Sequence, residues 1–216
     1  MNEEEALRPS LRPQLRPQLR LDFYETAVIL SRWGAGGQMS AYPVAVQDVV
    51  SACTGVTLRS GLLPPETLFW QQRGNATTLA IYVAARRWQV QTARQSYHIP
   101  LPPLLFVGRG TVYEVYAVKK RPFAPTTPLY HAPCPNVFGH GGICVGNTPF
   151  PACSAATIGQ ALTLFWQGSQ FNGHLSQGKS QSYPEDVRRL WAELDGRRRF
   201  PLAELVPMNR TLRDLL

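Results

Sequence analysis

Alternating apolar and polar side chains dominate the first half of the chain and give way near Arg121 to a stretch ruled by proline and glycine. Phe23 to Arg32 is rich in β-branched and aromatic residues and ends at Trp33-Gly34-Ala35-Gly36-Gly37, which predicts a strand and a turn. Ser40 to Val46 predicts the returning strand. Val46 to Cys53 predicts a short helix closed by Gly55, and Leu62-Leu63-Pro64-Pro65 a loop. Strands follow in close order at Glu66–Gln72, ended by the Arg73-Gly74-Asn75 turn, then at Thr77–Ala85 and Trp88–Ala93. Tyr97 to Val107 is broken by prolines, which donate no hydrogen bond to a ladder, and is expected near a sheet edge. After Gly108-Arg109-Gly110 comes Thr111 to Val118, where Val112, Glu114, Tyr116 and Val118 alternate with Tyr113, Val115 and Ala117. Consecutive strands with short turns predict an antiparallel meander.

From Pro122 to Pro151 neither period survives. A loop of this length inside a compact domain is uncommon and often functional. Thr157-x-x-Gln160 then has the form of a capping box, with Ile158, Ala161, Leu162 and Phe165 at helical spacing and Gly168 as a stop. A second helix is predicted over Pro184–Leu194 and a third from Leu202 to the C-terminus. The fold class expected is α+β: an antiparallel β-meander, a long loop, and C-terminal helices packed on one side. At the other end, Leu7 to Arg20 repeats Leu-Arg-Pro-x. Proline at every fourth position forbids a helix and biases each preceding arginine to an extended conformation, so residues 1–20 read as a disordered polyproline-like arm. The division expected is this arm, a β-rich extension over 21–76, and a core with its helices over 77–216.

Composition narrows the class. With 44% hydrophobic and 17% charged residues among 216, the chain can bury a core and is not globally disordered. No apolar run approaches the roughly 18 residues of a membrane-spanning helix. The start, Met1-Asn2-Glu3-Glu4-Glu5, has no hydrophobic segment of a secretory signal behind it, so a cytoplasmic location is expected. Four cysteines suit no disulfide framework. The net charge of +8 is scattered over short basic runs with no recognition helix or zinc finger, so a nucleic-acid partner is not expected; a basic plasmid-associated nucleic-acid-binding protein stays as a rival class.

Candidate chemistry lies in the long loop. Asn136 precedes Cys144 by eight positions, with Gly141, Gly142 and Gly146 close to the thiol. A thiol nucleophile needs access, a base or lowered pKa, and stabilisation of the oxyanion it creates; small neighbours give the first and the Asn136 amide can give the last. The plainer alternative makes Cys144 a small buried apolar residue and Asn136 a turn former. A metal alternative uses His131, Cys134, His140 and Cys144, spaced H-x2-C-x5-H-x3-C. These are strung along one loop rather than set in two close pairs, and no metal site is expected.

Arg121-Pro122-Phe123-Ala124-Pro125, Leu129-Tyr130-His131, Pro135-Asn136, Gly141-Gly142-Ile143-Cys144 and Thr157-Ile158 occur in the order found in the ubiquitin-conjugating enzyme family, which the segment 77–170 resembles. That family runs meander, Pro-Phe-x-Pro-Pro, His-Pro-Asn, Gly-x-Ile-Cys-Leu, then a helix opened by Leu-Thr-Ile. Within the superfamily the chain looks most similar to the divergent bacterial group found as protein B of the PRTRC cassette. The resemblance implies a ubiquitin-conjugating-enzyme-like fold with the long loop as active-site loop. It implies Cys144 as the thioester-forming cysteine and Asn136 as the amide that supports the loop and the oxyanion. Its implied partners are a ThiF-like activating enzyme, a ubiquitin-like protein and a target protein amine. No cofactor is implied, because ATP is consumed by the activating enzyme. Cys134 stands where the family has the His of His-Pro-Asn, His131 is displaced by two residues, and Gly146 stands where the family has an acid. Thioester formation is thus the firmer expectation and transfer to lysine the weaker. A non-catalytic variant that binds a ubiquitin-like protein is the rival within the fold.

Overall fold

The computed structural model describes residues 18–34, 36–54, 60–73, 76–122 and 124–216. Most of the Leu-Arg-Pro arm, the Gly55 stop, the Gly74-Asn75 turn and Phe123 of the Pro-Phe motif lie outside the described residues. The chain forms two compact units, Met1–Arg59 and Ser60–Leu216.

In the first unit, β1 (Leu19–Phe23), β2 (Val28–Trp33) and β3 (Met39–Val44) form an antiparallel sheet in that order, followed by α1 (Val46–Thr54). Leu19 and Arg20, placed by sequence in the arm, are the first residues of β1. The glycine cluster closes the β2–β3 turn, where the Gly37 N–H donates to the Gly34 carbonyl at 3.0 Å and Gly37 has φ +80°.

In the second unit the strands are β4 (Thr67–Arg73), β5 (Ala76–Val83), β6 (Arg86–Thr92), β7 (Ser96–Leu101), β8 (Leu104–Arg109), β9 (Val112–Ala117) and β10 (Pro128–His131). After the long loop come α2 (Ile158–Thr163), which runs on as a π turn over Leu164–Gly168, then β11 (Gln170–Phe171), α3 (Val187–Leu194) and β12 (Pro207–Thr211). The protein is α+β and mostly sheet. One antiparallel sheet has the order β12-β10-β9-β8-β5-β4; a second has the order β11-β6-β7, with β11 parallel to β6.

This differs from an uninterrupted meander. The β6–β7 hairpin leaves the main sheet, and β5 pairs directly with β8. The expected Tyr97–Val107 strand is two strands parted at Pro102-Pro103. Pro100 lies on β7, an edge strand where its missing N–H costs no ladder bond, whereas β8 lies inside the main sheet. Strand β4, expected in the N-terminal extension, is hydrogen-bonded to β5 within the second unit.

The two faces of the main sheet are covered differently. On one, Leu79, Ile81, Phe106, Tyr113 and Val115 share a core with Ile158, Phe165 and Trp166 of the α2 segment and Val187, Leu190 and Trp191 of α3. Aromatic contacts knit this core, with Trp88 of the hairpin stacked on Trp166 at 5.0 Å between centroids and Phe171 edge-on to Trp191 at 5.2 Å. On the other face, Ala80, Leu105, Val107, Tyr116 and Leu129 pack with Met208, Leu212 and Leu215. The third predicted helix is therefore replaced by a 3-10 turn at Leu202–Glu204, the strand β12, and a second 3-10 turn at Leu212–Leu215. Pro207 has no N–H for a helical ladder, and a strand here covers the second face.

Helix starts also differ in detail. Thr157 makes no cap bond; its hydroxyl donates to the Ala152 carbonyl at 2.6 Å and accepts from the Ser154 N–H at 3.0 Å, tying the loop down before α2. The α3 start lies three residues after Pro184, at Val187, where the Asp186 carboxylate accepts from the Arg188 N–H at 3.0 Å. Asp186→Ala is expected to cost about 1 kcal/mol in urea unfolding at neutral pH. Hydrogen bonds from Arg188 hold the Asp186 carboxyl below its ordinary 3.8. The contribution is thus present above that value and is lost as pH falls through the lower folded one. A variant as stable as the parent at pH 7 would show that this cap contributes nothing.

Candidate functional site

The loop after β10 has little regular structure of its own, so its backbone groups must find partners elsewhere. Residues 137–143 make a small hairpin that lies along β9, beyond the end of β10. The Phe138 N–H donates to the Gly142 carbonyl at 2.8 Å, the Val115 N–H to Gly141 at 2.9 Å, and the Ile143 N–H to Tyr113 at 2.9 Å. Gly141 has φ +100°, and a Cβ there would lie 2.3 Å from Cε1 of Tyr116. Only glycine lets the loop come this close to β9.

This docking brings the two sequence candidates together. The Cys144 N–H donates to the Asn136 carbonyl at 2.8 Å, and both residues line one cleft of about 200 Å³. Gly146, Asn147 and Thr148 continue that wall, and Ser169, Asn172 and His174 come from the segment after α2. The Cys144 side is half-buried, with a thiol among small and polar neighbours. Asn136 holds φ +58°, a conformation asparagine tolerates better than most residues. Its backbone N–H donates to the His174 carbonyl at 3.0 Å. Its side-chain Nδ2 reaches the Gln170 carbonyl at 3.4 Å, while the buried Oδ1 has no partner among the described residues. That bond engages one of the two amide protons.

The remaining loop residues are separated. Cys134 is fully buried, and burial pushes its thiol up to about 12. His131 ends β10 half-buried, its pKa lowered by burial and by the charge of Lys179. His140 is exposed and stacks on Phe138. Among the described residues no three His, Cys, Asp or Glu side chains gather as a metal site would need, so the four-ligand spacing does not become a cluster. The cysteines are free thiols. Cys153 is buried against β8, where a Cβ on Gly108 would lie 2.5 Å from its Sγ. Phe165, Trp166 and Phe171 are all core residues.

Sequence reasoning missed Lys179 and His174. Lys179 is 3% exposed. Its ammonium donates to the Cys134 carbonyl at 2.9 Å and to the Val137 carbonyl. Burial pushes its pKa down to about 8, partly offset by the facing Cys134 thiol. Trp191 adds a third inward bond, from Nε1 to the Pro133 carbonyl at 2.8 Å. Nothing in the polar run Gln177-Gly178-Lys179-Ser180-Gln181 marks one of its members as buried.

A mostly β α+β domain with a half-buried thiol in a glycine-rich loop is consistent with an E2-like family. Residues 45–208 match the model of prokaryotic E2 family D, and the chain belongs to that family. The match reaches from the start of α1 into β12 and so exceeds the segment whose motifs carry the sequence resemblance. No curated protein and no solved structure matches the chain. Membership implies, in general terms, an activating enzyme and a ubiquitin-like protein as partners. Among the described residues no helix is long and apolar enough to cross a membrane.

Proposed function

We propose that this protein accepts a ubiquitin-like modifier as a thioester on Cys144, delivered by a ThiF-like activating enzyme in the cytoplasm. The reading extends to partners of the PRTRC type. The observation that carries it is the shared cleft wall of Cys144 and Asn136, joined through their backbones, in a member of a prokaryotic E2 family. The Cys144 thiolate attacks the carbonyl of the modifier's C-terminal thioester. A tetrahedral oxyanion forms, the activating enzyme's thiolate leaves, and the acyl group now sits on Cys144. In the second step an amine of a target protein attacks that carbonyl, loses a proton, and expels the Cys144 thiolate. The Asn136 amide donates to the oxyanion of this step. One thioester is exchanged for another in the first step, so the protein mainly supplies orientation there.

The test is incubation of the full chain with the activating enzyme, the modifier and ATP, followed by mass analysis. A reductant-sensitive adduct on Cys144 is expected, absent from Cys144→Ala and converted to a reductant-resistant ester in Cys144→Ser. An adduct that persists unchanged in Cys144→Ala sinks the reading.

A further inference from the structure

Lys179 is a buried ammonium for which no carboxylate partner is found among the described residues. Desolvating a charge is costly, and a methionine would fill a similar volume without that cost. The two bonds it makes are specific. They go to the carbonyls of Cys134 and Val137, two residues before and one residue after Asn136. Neither bond is a strand or helix bond, and together they bracket the residue whose backbone takes the left-handed conformation. The Asn136 carbonyl in turn accepts the Cys144 N–H. Lys179 itself is carried by a loop anchored at both sides, through the Gly178 N–H to the Pro184 carbonyl at 2.7 Å and the Val187 N–H to Ser176 at 3.0 Å.

We propose that Lys179 is a positioning residue, whose ammonium clamps the Cys134 and Val137 carbonyls and thereby fixes Asn136 beside Cys144. It touches neither the thiol nor an acyl group; it acts through the turn. Charge-assisted bonds to two carbonyls draw the ends of a four-residue turn onto one point. Without them the left-handed residue between has less to hold it, and the amide loses its fixed direction. Preorganisation of this kind affects the step in which the amide donates to the oxyanion more than the thioester exchange that loads Cys144. The catalytic part of the inference rests on the thioester reading above; the clamp itself does not.

The two parts separate in one set of measurements on the full chain. Amide hydrogen exchange in Lys179→Met is expected to rise at least about tenfold at Asn136 and Cys144, with core amides such as Leu79 and Val115 changing less than about twofold. Discharge of the Cys144 thioester to hydroxylamine is expected to slow about tenfold while the extent of loading is unchanged, with Lys179→Arg restoring most of the rate. No local rise at the two amides, a uniform rise across the domain, or discharge at the parental rate overturns the proposal. A wild-type chain that never loads Cys144 defeats the thioester reading instead, and exchange alone then decides the clamp. Should Lys179→Met fail to fold, the unaltered protein still answers. It contains only three lysines, so ¹⁵N-lysine labelling isolates this one. A side-chain ammonium signal protected from exchange is expected, and three equally fast-exchanging signals overturn the clamp.

Discussion

Asn136→Gly is expected to slow discharge of a Cys144-bound acyl group by about 10²–10³-fold, the usual loss on removing one oxyanion donor, with little change in stability. Glycine is the informative replacement. Asn136 has φ +58°, which glycine adopts freely and alanine does not. Asn136→Ala confounds loss of the amide with about 1 kcal/mol or more of backbone strain. If the plainer turn-forming role were the whole of it, Asn136→Gly would keep the parental discharge rate and only the alanine variant would fail. Single-turnover discharge of a preloaded thioester, with urea unfolding alongside, separates the cases. Among the described residues the side chain makes one long bond, to the Gln170 carbonyl, and its Oδ1 is unpaired. Loss of that amide therefore removes little from the fold, and a large fall in rate would be chemical in origin.

Gly141→Ala is expected to destabilise the second unit by about 3 kcal/mol, close to 10 °C in melting temperature. Two penalties combine. The backbone at φ +100° lies where L side chains are strained, and a Cβ would meet Cε1, Cζ and Oη of Tyr116 at 2.3, 2.6 and 2.9 Å. Tyr116 cannot swing aside cheaply, because it is fully buried and its hydroxyl donates to the His140 carbonyl at 3.0 Å. Gly139→Ala, two residues away, meets nothing within 4 Å and serves as the control. Equal melting temperatures for the two variants would mean that the loop does not depend on this contact. The same substitution should also reduce loading of Cys144, because the Gly141 carbonyl is one of the bonds that seat the hairpin on β9.

Much of the second unit could be read from the sequence because its signals are local. The alternation through Thr111–Val118 appears as β9, with Tyr113 and Val115 on the helix-covered face and Tyr116 on the other. Ile158, Ala161, Leu162 and Phe165 all point into the core, as helical spacing requires, although the turn that holds Phe165 is π-wound. Where the reading failed, a distant partner had overridden a local preference. The C-terminal segment has enough apolar residues for a helix, yet it lies as a strand beside β10 because the open face of the sheet needed cover. The β6–β7 hairpin has strand character throughout, and nothing in its sequence says that its Trp88 will stack on Trp166 outside the main sheet.

The site divides along the same line. Residue types and spacing made Asn136 and Cys144 candidates beside a plainer reading as turn former and small apolar residue, and the order of the motifs around them, through the family resemblance, is what favoured the chemical one. That they line one cleft depends on the hairpin's bonds to β9, made with residues more than twenty positions earlier. Tertiary structure alone decided that Cys134, which stands where the family has a His, is sealed from solvent, and that Lys179 is buried beneath the loop rather than solvated on a polar run. A lysine carries no local mark of burial. Its position is set by which carbonyls lack partners once the whole chain has packed, and those carbonyls lie more than forty residues away.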